Sequence, residues 1–195
     1  MLTERSLQSV LVVSGTAKGI QFLSDLLPSS AYAPVTSVSN AGEARRMLSA
    51  VPYDLVIINA PLADEPGYEL AMYLADETPS CVLLIVKSEL FDEICYRTEP
   101  HGVLTVAKPN ARQTFHQAVS LLTAMREKLR KMEKKTANLQ AKMDEIRIVN
   151  RAKWVLIEYL HMNESQAHRY IEKQAMDMRL TRREVAESLI KTYES

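Results

Sequence analysis

Two cysteines are present among 195 residues. Cys81 and Cys95 form neither a disulfide framework nor a metal-binding spacing, which excludes a cystine-stapled secreted domain and a zinc module. No apolar run approaches the roughly 18 to 20 residues of a membrane-spanning helix, so no membrane partner is expected. The start, Met1-Leu-Thr-Glu-Arg, leads directly into strand-like sequence. No secretion signal is read there, and a cytoplasmic location is expected. The chain also lacks a glycine-rich phosphate loop, a metal-ligand cluster and a nucleophile-base arrangement, and its four histidines are scattered. The expectation is a protein that is not an enzyme and holds no cofactor or metal. Neither glycine nor proline occurs from Asn110 to the end, so nothing interrupts helix over that stretch.

The formal net charge is zero, but it is unevenly divided. Residues 1–125 carry 8 Lys/Arg against 13 Asp/Glu, and residues 126–195 carry 16 against 11. A basic C-terminal part suits a polyanionic partner, and it equally suits a long solvated helix.

In the first 125 residues short apolar runs alternate with helical patterns. Strands are expected at Val10–Val13, Val35–Val38, Leu55–Ile58, Val82–Val86 and Val103–Val106. Helices are expected at Gly19–Leu27, Ala41–Leu48 and Tyr68–Leu74, with a short one at Phe91–Tyr96 and another from about Ala111. Nearly continuous apolar strands alternating with helices predict a five-stranded parallel sheet covered on both faces, an α/β flavodoxin-like arrangement. Sites in such folds stand at the carboxyl ends of the strands.

This region resembles a two-component receiver domain. The resemblance rests on the order of elements, on Asn40-Ala-Gly-Glu-Ala-Arg, on Tyr53-Asp-Leu-Val-Ile-Ile-Asn and on Lys108-Pro109. It implies an aspartate that accepts a phosphoryl group at the end of the third strand, an acidic pair that holds Mg²⁺ after the first, and a lysine after the fifth. Here the acceptor position is Asn59 and the acidic pair falls on Ser14-Gly15; Lys108 alone matches. An amide is not that nucleophile, and Ser-Gly offers no carboxylate to a hard cation. The domain reads as a pseudo-receiver. Lys108 either hydrogen-bonds Asn59 or a carbonyl, or belongs to a pocket that now meets an unknown ligand or sensor protein.

Leu122, Met125, Leu129, Met132, Thr136, Leu139, Met143 and Ile146 recur with spacings 3, 4, 3, 4, 3, 4, 3. That is a heptad seam, which predicts a coiled-coil homodimer or one long helix packed on its own domain. Methionine and Thr136 make it a seam of modest strength.

The last fifty residues carry helix-start signals. Asn163 stands three residues before Gln166, and Thr181-Arg-Arg-Glu184 is a capping box. Helices are expected at about 137–161, 164–178 and 182–193. Their apolar stripes are Val149, Ala152, Leu156, Tyr159, Leu160; then Ala167, Tyr170, Ile171, Ala175, Met178; then Val185, Ala186, Leu189, Ile190. Each follows the helical period, so the three helices can share a core.

These residues resemble the ANTAR domain. The match runs through Arg151-Ala-Lys153, Met162-Asn-Glu-Ser-Gln-Ala167, Gln174-Ala-Met-Asp-Met-Arg179 and Arg183-Glu-Val-Ala-Glu187. The resemblance implies a dimeric antiterminator that binds RNA carrying paired stem-loops. Two positions depart from the family: an arginine usual near the start of the first helix falls on Ile146, with Arg147 beside it, and Trp154 replaces a small residue. Arg147, Arg151, Trp154 and Glu158 share one helical face, opposite the Val149–Leu156 stripe. Two guanidinium groups beside an indole suit an unpaired loop base, and a dimer or domain contact suits the indole equally. Lys153, His168, Arg169, Arg179, Arg182 and Arg183 are further RNA-binding candidates, each also readable as a solvated surface charge.

The chain then divides into a receiver-like domain at 1–118, a coiled-coil linker at 119–138 and an ANTAR-like three-helix domain at 139–195. Two other readings are a DNA-binding response regulator and a protein-interaction module built on the pseudo-receiver and coil.

Overall fold

The computed structural model describes residues 7–109 and 111–194; the N-terminal segment Met1–Ser6, Asn110 and Ser195 lie outside the described residues. The element order is β1 (Gln8–Ser14), α1 (Ala17–Asp25), β2 (Tyr32–Val38), α2 (Ala41–Ala50), β3 (Leu55–Asn59), α3 (Tyr68–Glu77), β4 (Cys81–Lys87), α4 (Phe91–Thr98), β5 (Leu104–Lys108), α5 (Arg112–Leu160), α6 (Glu164–Met178) and α7 (Arg182–Tyr193), with short 3₁₀ turns before and after α4. The chain forms two compact units, Met1–Arg130 and Lys131–Ser195.

In the first unit the five strands are parallel, in the order β2-β1-β3-β4-β5. Strand side chains alternate between two faces, and both faces are covered. Leu11, Val13, Val56, Ile58, Val82, Leu84 and Val86 pack with Ala41, Ala44, Leu70, Leu74 and Ile94 of α2, α3 and α4. Val10, Val12, Leu55, Ile57, Leu83 and Ile85 pack with Leu23 of α1 and with Phe115, Ala118, Val119 and Leu122 of α5. Burial on both faces is why these strands read as continuous apolar runs.

The opening turns of α5 therefore belong to this core. Leu122 is 2% exposed, which corrects its placement in the dimer seam: it fills the domain core. From Met125 onward the stripe is open. Met125, Leu129, Met132, Leu139, Met143 and Ile146 are 43–60% exposed.

Further along α5 two arginines reach the amino ends of the strands. Asp54, at the start of β3 and 7% exposed, accepts from Ser9 N and Ser9 Oγ, both at 3.1 Å, from Arg126 Nε at 3.3 Å and from Arg130 Nη2 at 2.8 Å. This ties helix, β1 and β3 together at the end of the sheet opposite Asn59.

In the second unit, the last turns of α5 with α6 and α7 enclose Ala152, Leu156, Ala167, Ile171, Ala175, Val185 and Ala186. Both expected start signals are complete capping boxes: Asn163 with Gln166, and Thr181 with Glu184. Each satisfies backbone N–H groups that a helix start otherwise leaves open. The helix ends show the effect of missing glycine. His161 and Arg179 both take left-handed φ, 53° and 55°, where glycine is usual and other residues cost about 1–2 kcal/mol. The expected stripes shift at their edges. Tyr159, Leu160 and Met178 are 51%, 41% and 60% exposed, while Val155 is 3% exposed and joins the buried side. The three exposed residues lie in the terminal turns, and Tyr159 meets the Tyr193 ring with centroids 5.6 Å apart.

Candidate functional site

At the carboxyl end of the sheet, β1 and β3 pair Ser14 with Asn59. Asn59 Nδ2 donates to Ser14 Oγ at 3.0 Å, and Lys108 Nζ donates to Asn59 Oδ1 at 2.8 Å and to the Ala60 carbonyl. Both ends of the Asn59 amide are thus engaged, and the structural reading of Lys108 is the geometry found. Burial, then the neighbouring Lys87, lowers the affinity of the Lys108 amine for its proton. The acids that follow β3 are turned elsewhere. Asp64 accepts from the Ala41 and Gly42 backbone N–H groups at 2.9 and 3.0 Å, which hold its carboxyl below the usual range. Glu65 makes a bidentate pair with Arg45 at 2.9 and 3.1 Å. Among the described residues no group of three or more His, Cys, Asp or Glu is placed to hold a metal ion.

Gly19 is required by this closure. A Cβ there would lie 2.4 Å from Ser14 Oγ and 2.8 Å from Asn59 Nδ2. Gly19→Ala is expected to cost about 1–2 kcal/mol by overpacking, despite alanine's better helix propensity. Gly42→Ala, whose Cβ meets nothing closer than 3.4 Å, should gain about 0.4–1 kcal/mol. Urea unfolding of the two variants checks the contrast, and equal effects would contradict the closed geometry.

The second candidate region is the surface of the three-helix unit. Trp154 is 69% exposed, and Arg147, Arg151, Arg169, Arg179, Arg182, Arg183 and His168 are exposed. Several of these basic groups carry acidic partners. Arg151 meets Glu194 through Nε at 3.2 Å and through its terminal nitrogen, raising its proton affinity. Lys153 meets Glu164 at 3.1 Å, His168 meets Glu172 at 3.3 Å, Arg182 meets Glu145 at 3.2 Å and Arg183 meets Glu187 at 2.8 Å. Exposed pairs of this kind are screened by water and salt, so a polyanion can displace the acids at small cost. Lys153 differs in that its side chain is only 16% exposed.

The α5 face beside Trp154 forms a hollow lined by Asn150, Lys153, Trp154, Ile157 and Glu164. Asn150 was not among the sequence candidates. Its signal was present, because it lies one helical turn before Trp154.

Residues 137–190 match the family model of the ANTAR domain. Over 183 residues the chain is 23% identical to the transcriptional regulatory protein PdtaR of Mycobacterium tuberculosis (strain CDC 1551 / Oshkosh), spanning 94% of this chain and 89% of that one. The first unit is similar in fold to the signal receiver domain of an HD domain-containing protein from Pseudomonas fluorescens Pf-5. The TM-score is 0.58 at 21% identity, covering 67% of this chain and 96% of that one. A CheY-like response regulator receiver domain protein from Methanospirillum hungatei JF-1 gives a TM-score of 0.56 at 18% identity, covering 63% and 98%. Among the described residues no helix is long and apolar enough to cross a membrane.

Proposed function

We propose that this response regulator, an ANTAR domain carried behind a receiver-like fold, is an RNA-binding transcription antiterminator that works without aspartyl phosphorylation. The observation that carries the RNA reading is the exposed basic surface of a folded three-helix unit, with Trp154 open among arginines. Arg147, Arg151, Lys153, Arg169, Arg179, Arg182, Arg183 and His168 supply phosphate contacts, and the RNA carries paired stem-loops in a nascent transcript. The open stripe from Met125 to Ile146 is the seam of a homodimer, since six apolar side chains at heptad spacing stand in solvent. The domains are then a pseudo-receiver whose core takes in the opening turns of α5 through Leu122, a coil beyond it to 138 and the RNA-binding unit from 139.

Phosphorylation fails on chemistry. The acceptor position is an amide whose two ends are already bonded, and Ser14-Gly15 brings no charge for Mg²⁺. The RNA-binding unit is then either constitutively competent or gated through this domain by something other than phosphate.

Two measurements test the reading. The full chain is titrated with a two-hairpin RNA and with duplex DNA of the same sequence, each at two salt concentrations. RNA is expected to bind more tightly, with affinity falling as salt rises; preference for the duplex DNA would overturn it. Arg151→Ala should weaken binding to all loop sequences and flatten the salt dependence by about one counterion. An unchanged slope would remove Arg151 from the interface.

A further inference from the structure

Many basic groups of the three-helix surface sit against acids, as Arg151, Lys153, His168, Arg182 and Arg183 do. The coil segment of α5 is built differently. Residues 131–143 carry four lysines and one acid, Glu133. Lys131, Lys134, Lys135 and Lys142 are all exposed, and among the described residues none of them stands in an ion pair. Lys131, Lys135 and Lys142, spaced by four and seven residues, fall within about 40° of one line along the helix, with Lys134 beside it. Glu133 and Asp144 lie on the opposite side. Glu127 and Glu145, the acids at the two ends of the stripe, are engaged elsewhere. Glu127 accepts from Gln8 at 3.0 Å and from Arg130 at 3.4 Å, and Glu145 accepts from Arg182 at 3.2 Å.

Lysines four residues apart with no acid between them repel, and solvated helices commonly avoid that by alternating signs. The stripe runs roughly a quarter turn from the open Met132–Ile146 seam, so a second copy on the seam leaves it uncovered. Nor would that copy neutralise it. From Lys135 onward the heptad positions flanking the seam are Lys135, Gln140, Lys142 and Arg147, none of them acidic. What remains is an uncompensated row of ammonium groups, the arrangement that a row of phosphates relieves.

We propose that Lys131, Lys135 and Lys142, with Lys134 beside them, are a second RNA contact that takes the phosphate backbone of a double-stranded stem. The assignment rests on the RNA-binding reading above and adds a site on the coil, which that reading leaves without a role in RNA contact. Ammonium groups act as point charges, suited to phosphates more than to base edges. No aromatic side chain stands between His116 and Trp154, so the stripe offers an unpaired base nothing to stack on. A duplex stem needs no stacking partner, because its bases pair with each other and its phosphates face outward. The same lack of aromatics tells against an anionic membrane, where Trp or Phe commonly anchors the apolar face of a basic helix. The coil contact is therefore blind to sequence and sensitive to stem length.

The test uses the full chain and two hairpin RNAs with identical loops. One stem is about six base pairs longer, matching the ~17 Å that the stripe spans at ~1.5 Å per residue. Affinities are measured at several salt concentrations for the native protein and for the triple variant Lys131→Gln, Lys135→Gln, Lys142→Gln, which keeps good helix formers at each position. The native protein should bind the long stem more tightly and with a steeper salt slope. The triple variant should lose roughly tenfold to a hundredfold on the long stem, with a slope lower by about two to three counterions. It should bind the short stem as the native protein does. Arginine at the same three positions should restore both affinity and slope.

Each other outcome overturns something definite. If the native protein retains no RNA, both the stripe and the RNA reading fall. If RNA binds but the triple variant keeps its affinity and slope on the long stem, the stripe alone falls. Equal weakening of both stems, or a changed oligomer in sedimentation, would mean that the lysines do not act on the stem, and the proposal is overturned. So would cosedimentation with vesicles of phosphatidylserine and phosphatidylcholine that the triple variant loses while stem length has no effect.

Discussion

Ile171→Ala should abolish RNA binding while leaving the receiver-like unit folded. Ile171 is 1% exposed at the centre of the three-helix core. Removing its branched end leaves a cavity, which costs about 2–5 kcal/mol. The second unit spans only Lys131–Ser195, and a core of that size has little stability to lose. A loss of this size therefore melts α6 and α7 from α5 rather than loosening them. Thermal melting by circular dichroism should show a lost transition with the other retained, and RNA binding should vanish. Ile171→Val, expected to cost about 0.5–1.5 kcal/mol, should still bind. Full RNA affinity in Ile171→Ala would mean that the three-helix unit is not the binding element.

Asp54→Ala carries the second large effect, confined to the other unit. The Asp54 carboxylate, 10% exposed at the side chain, accepts from Ser9, Arg126 and Arg130 at the amino end of the sheet. Removing one side of a buried ion pair typically costs about 3–5 kcal/mol, because the donors lose an acceptor that water cannot replace. The melting temperature of the first unit should fall by roughly 6–12 °C for a loss of about 3 kcal/mol. Asp54→Asn, which keeps an acceptor oxygen for Ser9 but loses the charge, should fall between. RNA binding at low temperature should be unaffected in both. An unchanged melting temperature would contradict the clamp.

The sequence made the sheet legible because each strand is buried on both faces, leaving apolar runs such as Val10–Val13 and Leu55–Ile58 that have no other home. The starts of α6 and α7 were legible because Asn163 and Thr181 make their capping contacts within three residues. Leu122 was misplaced for a physical reason. A stripe at spacings of three and four looks the same whether a neighbouring domain or a second copy covers it, and only the fold shows the first turns of α5 lying on β1 and β3. The Asp54 clamp was invisible because Arg126 and Arg130 stand 72 and 76 residues away in the chain. The amide in place of a carboxylate at Asn59 was legible from a single residue. The engagement of its amide with Ser14 and Lys108 required the strands to be side by side. Among the RNA candidates, residue type located the basic surface, and spacing alone did not reveal which acids sit against it or that Asn150 shares a hollow with Trp154.

The most direct test is the affinity of the full chain for a paired stem-loop RNA, measured before and after incubation with Mg²⁺ and a small-molecule phosphodonor. The expected result is salt-sensitive RNA binding of the same affinity in both samples, with no phosphoryl group on the protein by mass spectrometry. A hydroxylamine-sensitive phosphoprotein that binds RNA only after the phosphodonor is added would contradict the account.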